Sequence, residues 1–313
     1  LLVGILSFRN HRYHPNRRLE EAARARGHRT VLLHPARVYL SVSRDGLRIG
    51  HLGKPFSPEV VLPRIGSNIR EFPMTLVRQM EGMGLRMVNG AEAVALARNK
   101  FRTLQALARD GVPVPESRYA GNERNLAAAV RDLGPMPIVV KTAQGRQGRG
   151  VFLAENPAEV PALLGEHPPE LGGGMVLQEY IPPVDRLRDI RILVVGGRVV
   201  SAMGLRPRGG DFRANVHLRG RAERLRLSAA MERIALDAAA ALGLDIAGVD
   251  VIHKKDDALL VVDVNYSPGF KGLEGCTGDD VASRIIAFAT SPEGRMNENR
   301  VSHGPVGLHR SDQ

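Results

Sequence analysis

Apolar positions along this chain follow two periods. Short runs of aliphatic and β-branched residues at 2–6, 30–33 and 60–62 predict strands. Between the first two, residues 15–26 place Leu19, Ala22 and Ala23 on one helical face before a stop at Gly27. With another helix at 72–83, this β-α-β order predicts a parallel sheet covered by helices. Ser7-Phe8-Arg9-Asn10 follows the first strand in place of the dinucleotide glycine fingerprint, which argues against an NAD domain. Residues 91–109 read as one helix, closed by Asp110-Gly111 and by Pro113 and Pro115.

Beyond that boundary the runs shorten, with strands expected at 137–141, 151–154, 175–181, 191–195 and 198–202. Gly196-Gly197 between the last two is a two-residue hairpin signal. Ser228 caps a helix with Met231, Ile234, Ala238 and Leu242 on one side and Gly243 at its end. No internal repeat is present, and the polar, aperiodic stretch after about residue 292 predicts a disordered tail.

The most informative segment is 248–275. Two aliphatic runs, 249–253 and 259–264, flank Lys-Lys-Asp-Asp and read as antiparallel strands. The simplest register puts Asp256 and Asp257 in a two-residue turn, so that Lys255 faces Ala258, His253 faces Leu260, and Asp250 lies opposite Asp263. Asn265 points the same way as Asp263. Two carboxylates roughly 5 Å apart repel by about 3 kcal/mol at an effective dielectric near 20, and like charges directly opposite destabilise a sheet. Oxygen donors without Cys or His favour Mg²⁺ or Mn²⁺, and Mg²⁺ usually completes its shell with substrate phosphates. The segment therefore predicts a metal–nucleotide site, with strand-end and wet-edge aspartates as the plainer alternative.

Lys141 leads into a loop carrying Gly145, Gly148 and Gly150 with Arg146 and Arg149. Glycines let backbone N–H groups approach phosphate oxygens, although a glycine-rich hairpin needs no ligand. The Gly-x4-Gly-Lys-Ser/Thr pattern is missing, and lysine before loop reverses the protein-kinase order.

Composition adds bounds. The 313 residues, 43% hydrophobic and 25% charged, suit two or three compact soluble units. No run approaches a membrane span, and residues 1–7 are too short for a secretory signal, so the cytoplasm is the expected location. The single cysteine, Cys276, excludes an intramolecular disulfide framework and a Cys-rich zinc site, and with no His beside it in sequence it reads as a structural thiol. A net charge of +11 attracts polyanions. Aromatic content of 4% without Trp argues against base stacking along single strands.

Taken together, Lys141 and its loop, Gln178-Glu179-Tyr180-Ile181, Asp189-Ile190-Arg191, Gly210-Asp211-Phe212-Arg213-Ala214-Asn215 and Asp263-x-Asn265-x-Ser267-Pro268-Gly269 resemble the ATP-grasp fold. Pro63-Arg64-Ile65-Gly66 and Ala97-Arg98-Asn99-Lys100 extend the likeness to its RimK branch, the α-L-glutamate ligases that add glutamate to the C-terminus of a ribosomal protein. The resemblance implies a mixed α/β and α+β architecture: a Rossmann-like pre-ATP-grasp domain at 1–95, lobes at 96–182 and 183–290 clasping ATP, and the tail at 291–313. It implies that Lys100 and Lys141 hold ATP phosphates under the loop of Gly145, Gly148 and Gly150. Gln178, Glu179, Tyr180 and Ile181 would line the base, and Asp189 the far side of the nucleotide. Arg213, Ala214 and Asn215 would reach the phosphates, with Lys141, Arg213 and Asn215 catalytic. Asp250, Asp263 and Asn265 would bind two Mg²⁺ or Mn²⁺ ions, Asp263 standing where the family usually has Glu.

The implied partners are L-glutamate or a similar amino acid and an acidic peptide C-terminus or small carboxylate, a ribosomal protein among them, acted on by a homo-oligomer with no membrane contact. Arg206, Arg208, Arg213, Arg219 and Arg221 suit carboxylate-rich substrates. Alternatives are the same chemistry on an amino-group carrier protein or a pterin or deazaflavin cofactor, or a non-catalytic, nucleotide-binding ribosome-associated protein.

Overall fold

A computed structural model describes residues 1–52, 54–66, 71–142, 150–166, 174–182, 189–206, 221–255 and 258–292. The first unit runs β1 (Leu2–Leu6), α1 (His14–Ala25), β2 (Arg29–Leu33), β3 (Val38–Ser43), β4 (Gly46–His51), β5 (Lys54–Pro55), β6 (Val60–Pro63), α2 (Glu71–Gly82) and β7 (Arg86–Met87). Strands β2-β1-β6-β7 form the expected parallel sheet, with Leu19, Ala22 and Ala23 of α1 buried. The small antiparallel sheet β3-β4-β5 was not predicted, although its turn at Arg44-Asp45, with Ser43 paired to Gly46, carries an Asp-Gly signal.

The single helix expected at 91–109 is two, α3 (Ala91–Ala97) and α4 (Lys100–Arg109). Asn99 interrupts them: its side-chain oxygen accepts from the N–H groups of Phe101 and Arg102 at 3.0 and 3.1 Å, a local competitor for the helical backbone. This break puts Lys100 on the first turn of α4. Asn99→Ala is expected to cost about 1 kcal/mol in urea unfolding; an unchanged midpoint would show that the cap contributes nothing.

A second antiparallel sheet, order β10-β9-β11-β8, comprises β8 (Ser117–Ala120), β9 (Ile138–Thr142), β10 (Val151–Ala154) and β11 (Met175–Glu179), with α5 (Glu123–Leu133) and α6 (Glu159–Glu166) beside it. Alternation divides its faces. Ile138, Val140, Met175 and Leu177 enter a core with Leu126, Val130 and Val160 of the two helices, and Lys141 and Gln178 point the other way.

The third part runs β12 (Asp189–Val195), β13 (Arg198–Arg206), β14 (Arg221–Arg224), α7 (Ala229–Ala241), β15 (Ile246–His253), β16 (Leu259–Asn265), α8 (Lys271–Thr277) and α9 (Val281–Thr290). Its sheet order is β14-β13-β12-β15-β16. Gly196 and Gly197 make the expected turn with φ of +57° and +71°, a conformation glycine adopts without strain. Ser228 caps α7 by accepting from Met231 N–H.

The first and third parts share their cores. Leu6, Leu33 and Val77 cluster with Ile190, Ile192 and Val249, and Val3, Ile5 and Leu19 with Leu193, Val195 and Ile285. The sheet of β8–β11 keeps its own. Pro292 closes the described chain, so the tail expectation for 291–313 lies almost wholly outside the described residues.

Candidate functional site

The β15–β16 hairpin builds the floor of the site, and Asp250 faces Asp263 as expected. The turn differs. At the tip His253 pairs with Leu259, and Lys254 N–H donates to Ala258 O at 2.8 Å, one residue out of the expected step. Asp256 and Asp257 themselves lie outside the described residues. A β-bulge between Asp250 and Val251 restores the register, because Val262 and Asp263 together oppose one residue of β15. Val249, Val251, Val261 and Val264 go into the core, while the opposite face carries Asp250 and Asp263 at one end and an apolar cluster of Ile252, Leu260, Val262 and Ile181 at the other.

The facing carboxylates are neutralised by cations of the chain itself. Arg191, two residues after Asp189 and paired with Asp250 across β12–β15, grips both Asp250 oxygens at 2.7 Å. Asp250 in turn holds the Arg191 guanidinium above its ordinary pKa, more than offsetting burial. Lys100 Nζ reaches Asp263 Oδ2 at 2.9 Å. Burial pushes the Asp263 carboxyl up, but the charge and hydrogen bond of Lys100, with Lys141 and Arg191 behind, hold it below the usual value. Sequence reasoning named Asp189 as a site residue and missed Arg191; the two-residue spacing on one strand was the available signal.

From the opposing sheet, Lys141 Nζ donates to Gln178 Oε1 at 2.5 Å and to Val262 O at 3.5 Å. Gln178 is fixed from its other end, donating to Ser117 Oγ at 2.9 Å. Enclosure, with the charge of Lys100 beside it, lowers the Lys141 ammonium to about 8 against the opposing pull of Asp263, Asp189 and Asp250. Gly150 closes the glycine loop at φ +75°, its carbonyl accepting from Thr142 N–H at 2.9 Å. Glu179 Oε1 accepts from Glu116 N–H, Tyr180 is half-buried, and Ile181 is buried in the apolar cluster. Lys100, Lys141, Gln178, Asp189, Asp250 and Asp263 thus gather where the β10-β9-β11-β8 sheet meets the β14-β13-β12-β15-β16 sheet. Ala97, Arg98 and Lys100 line one side of a pocket there, with Asp263, Asn265 and Ser267 on the other. Gly145, Gly148, Arg213, Ala214 and Asn215 lie outside the described residues.

Among the described residues no group of three or more His, Cys, Asp or Glu forms a metal cluster. Asp263 and Asn265 are oxygen donors of the kind a divalent cation takes, whereas both Asp250 oxygens already accept from Arg191. Asp263 gives only Oδ2 to Lys100, which occupies a cation's position beside it, and Asn265 adds an amide oxygen from the same strand.

Family models match along nearly the whole chain: a RimK PreATP-grasp domain at residues 1–94 and a RimK-like ATP-grasp domain at 97–289. The chain belongs to the RimK-like ATP-grasp family. As a member, it is an ATP-grasp ligase of the class that forms carbon–nitrogen bonds with release of ADP. It is 39% identical over 289 residues to a probable alpha-L-glutamate ligase of Stenotrophomonas maltophilia (strain K279a), covering 91% of this chain and 96% of that one. A protein of the same description from Coxiella burnetii (strain Dugway 5J108-111) is 37% identical, covering 87% and 89%. Among solved structures, a RimK domain ATP-grasp protein from Sphaerobacter thermophilus DSM 20745 superposes with a TM-score of 0.72 at 25% identity, covering 93% of this chain and 100% of that one. The ATP-grasp ligase PsnB, solved with a precursor variant, Mg and ADP, gives 0.68 at 21% identity over 91% and 97%, a likeness of fold. No helix among the described residues of this RimK-like chain is long and apolar enough to cross a membrane.

Proposed function

We propose that this RimK-like ligase uses ATP to activate a carboxylate as an acyl phosphate and joins it to the amine of L-glutamate. The observation that carries the reading is the meeting of Lys100, bonded to Asp263, and Lys141, bonded to Gln178 and the Val262 carbonyl and feeling the charge of Asp263 and Asp250, beside an apolar floor of Ile181, Ile252 and Leu260. Lys141 and Lys100 hold the phosphates and the apolar end takes the base. Gly145, Gly148 and Gly150 cover the phosphates, and Arg213 and Asn215 stabilise the transferring group. Asp263, Asn265 and Asp250 would hold two Mg²⁺ or Mn²⁺ ions, which supply charge neutralisation at the phosphates. The γ-phosphoryl passes to the acceptor carboxylate; the amine then attacks the acyl carbon, the amide forms and phosphate leaves. Positioning and charge neutralisation suffice for this chemistry, and no enzyme nucleophile is needed. Cys276 fits that account, since burial raises its thiol pKa.

The acceptor in this reading is an acidic C-terminus, as in a ribosomal protein, or a glutamate-bearing small molecule, met in the cytoplasm. Coupled measurement of ADP release across a panel of amino acids tests it. L-Glutamate with an acidic peptide should release ADP, and EDTA should reduce that release to background. Equal turnover with neutral or basic amino acids would sink the glutamate assignment, and EDTA-resistant turnover the metal assignment.

A further inference from the structure

A second electropositive spot lies at the C-terminal edge of the parallel sheet. There β1 connects to β2 on one side and β6 flanks it on the other, the strand-order switch point at which open α/β sheets carry their binding crevice. Arg64 follows β6 directly, its backbone N–H donating to Leu6 O at 2.8 Å. The side chain keeps only 7% of its surface exposed. Its Nη2 donates to Pro268 O, and the guanidinium lies 5.8 Å from the Phe270 ring centroid. Nε is enclosed and has no hydrogen-bond partner among the described residues. Burial lowers the pKa to about 10, opposed only by Tyr13 and by no carboxylate. Arginines this buried are ordinarily paired with an anion.

The same spot receives the start of a helix. Tyr13 is the N-cap of the twelve-residue α1, which has no side-chain cap hydrogen bond and no acidic residue in its first turn; Pro15 carries no N–H and Arg17 N–H donates to Tyr13 O at 3.0 Å, which leaves the dipole and the N–H groups of His14 and Asn16 for an anion. Arg9 lies 6.0 Å from the Tyr13 ring centroid. Asn16 holds this loop by donating to Ser7 Oγ, Arg9 O and Asn10 O. The nearby carboxylate of Glu274 is already engaged by Arg18 at 3.1 Å and His14 at 3.4 Å. Two contacts tie the crevice to the loop just beyond Asn265: Arg64 to Pro268 O, and Tyr266 Oη to Gly66 O at 2.7 Å. An anion bound here would sit one short loop from the residues assigned to metal and phosphate.

We propose that Arg64, with Arg9 and the first turn of α1, forms a subsite for a substrate carboxylate other than the one that is phosphorylated. This rests on the ligase reading above for the identity of the substrate. The ATP phosphates have Lys100 and Lys141, and guanidinium with helix N–H groups suits the planar two-oxygen geometry of a carboxylate.

Titrating glutarate into the full chain without nucleotide tests the subsite by itself. Wild type should bind, Arg64→Met should weaken binding at least tenfold, and Arg64→Lys should fall between. Arg9→Met, at an exposed position, should shift affinity the same way and serves if Arg64→Met fails to fold. A wild-type chain that ignores glutarate, or variants that bind it equally well, would overturn the subsite. Turnover then separates the two sources of the carboxylate. Converting the non-reacting carboxylate to a carboxamide, in the amino acid or in the acceptor peptide, should raise its KM at least tenfold in wild type and little in Arg64→Met. The substrate that shows this coupling is the one held. Independent penalties for both substrates overturn the proposal and leave Arg64 as a strut for Pro268. A wild-type chain that releases no ADP with any amino acid sinks the ligase reading instead, and glutarate affinity still decides the subsite.

Discussion

Replacing Asp250 with Ala should lower the unfolding free energy by about 3–5 kcal/mol, the range for removing one partner of a buried ion pair. The cause is Arg191, which donates to both Asp250 oxygens and would be left enclosed with its charge uncompensated. Facing carboxylates read from sequence alone suggest the opposite, that losing one relieves repulsion in the metal-free protein. Once Arg191 and Lys100 are in place the attractive pairs dominate, because each carboxylate has a cation within 3 Å. Urea denaturation of the wild type, Asp250→Ala and the double variant Asp250→Ala/Arg191→Met decides it. The double variant should recover much of the loss, since no unpaired charge remains. A single-variant change below about 1 kcal/mol would place the pair among weak surface bridges. Asp250→Ala should also abolish ADP release.

Lys141→Met keeps the aliphatic stem and removes the charge, and should weaken ATP binding by about 1.5–3 kcal/mol, or roughly 10- to 150-fold in Kd. The depressed pKa adds a pH signature. Lys141 titrates at about 8 in the folded chain against an ordinary 10.5, so between those values the unfolded chain binds more protons than the folded one. Stability contributed by this residue therefore rises with pH across that window, as the cost of enclosing a charged ammonium disappears. Nucleotide affinity moves the other way, falling as pH rises through about 8 and the phosphates lose their cation. Isothermal titration with ATP from pH 6.5 to 9.5, wild type against Lys141→Met, separates the two trends. Identical pH profiles for the two chains would remove Lys141 from the site.

Much of this architecture was legible because its cues are local. Gly196-Gly197 marked the β12–β13 turn, Ser228 the start of α7, and β-branched runs both strands of the β15–β16 hairpin. Asn99 carried an equally local N-cap signal, but continuous apolar periodicity from residue 91 to 109 concealed the break that positions Lys100. The bulge at Val262 has no cue of its own, since neither glycine nor proline stands there. The Asp250–Asp263 pairing came out right while the tip register came out one residue wrong.

The sequence by itself determined the strands that carry the site, the alternation of their faces and the oxygen-rich character of the hairpin, since these follow from side-chain periodicity within a few residues. Tertiary structure alone decided the partners. Lys100 meets Asp263 across 163 positions, Arg191 meets Asp250 across 59, and Lys141 meets the Val262 carbonyl across 121. No local propensity encodes those distances. They depend on how sheets with apolar faces bury them, which brings the charged faces together in a low-dielectric cleft where each cation's choice of carboxylate carries most of its energy.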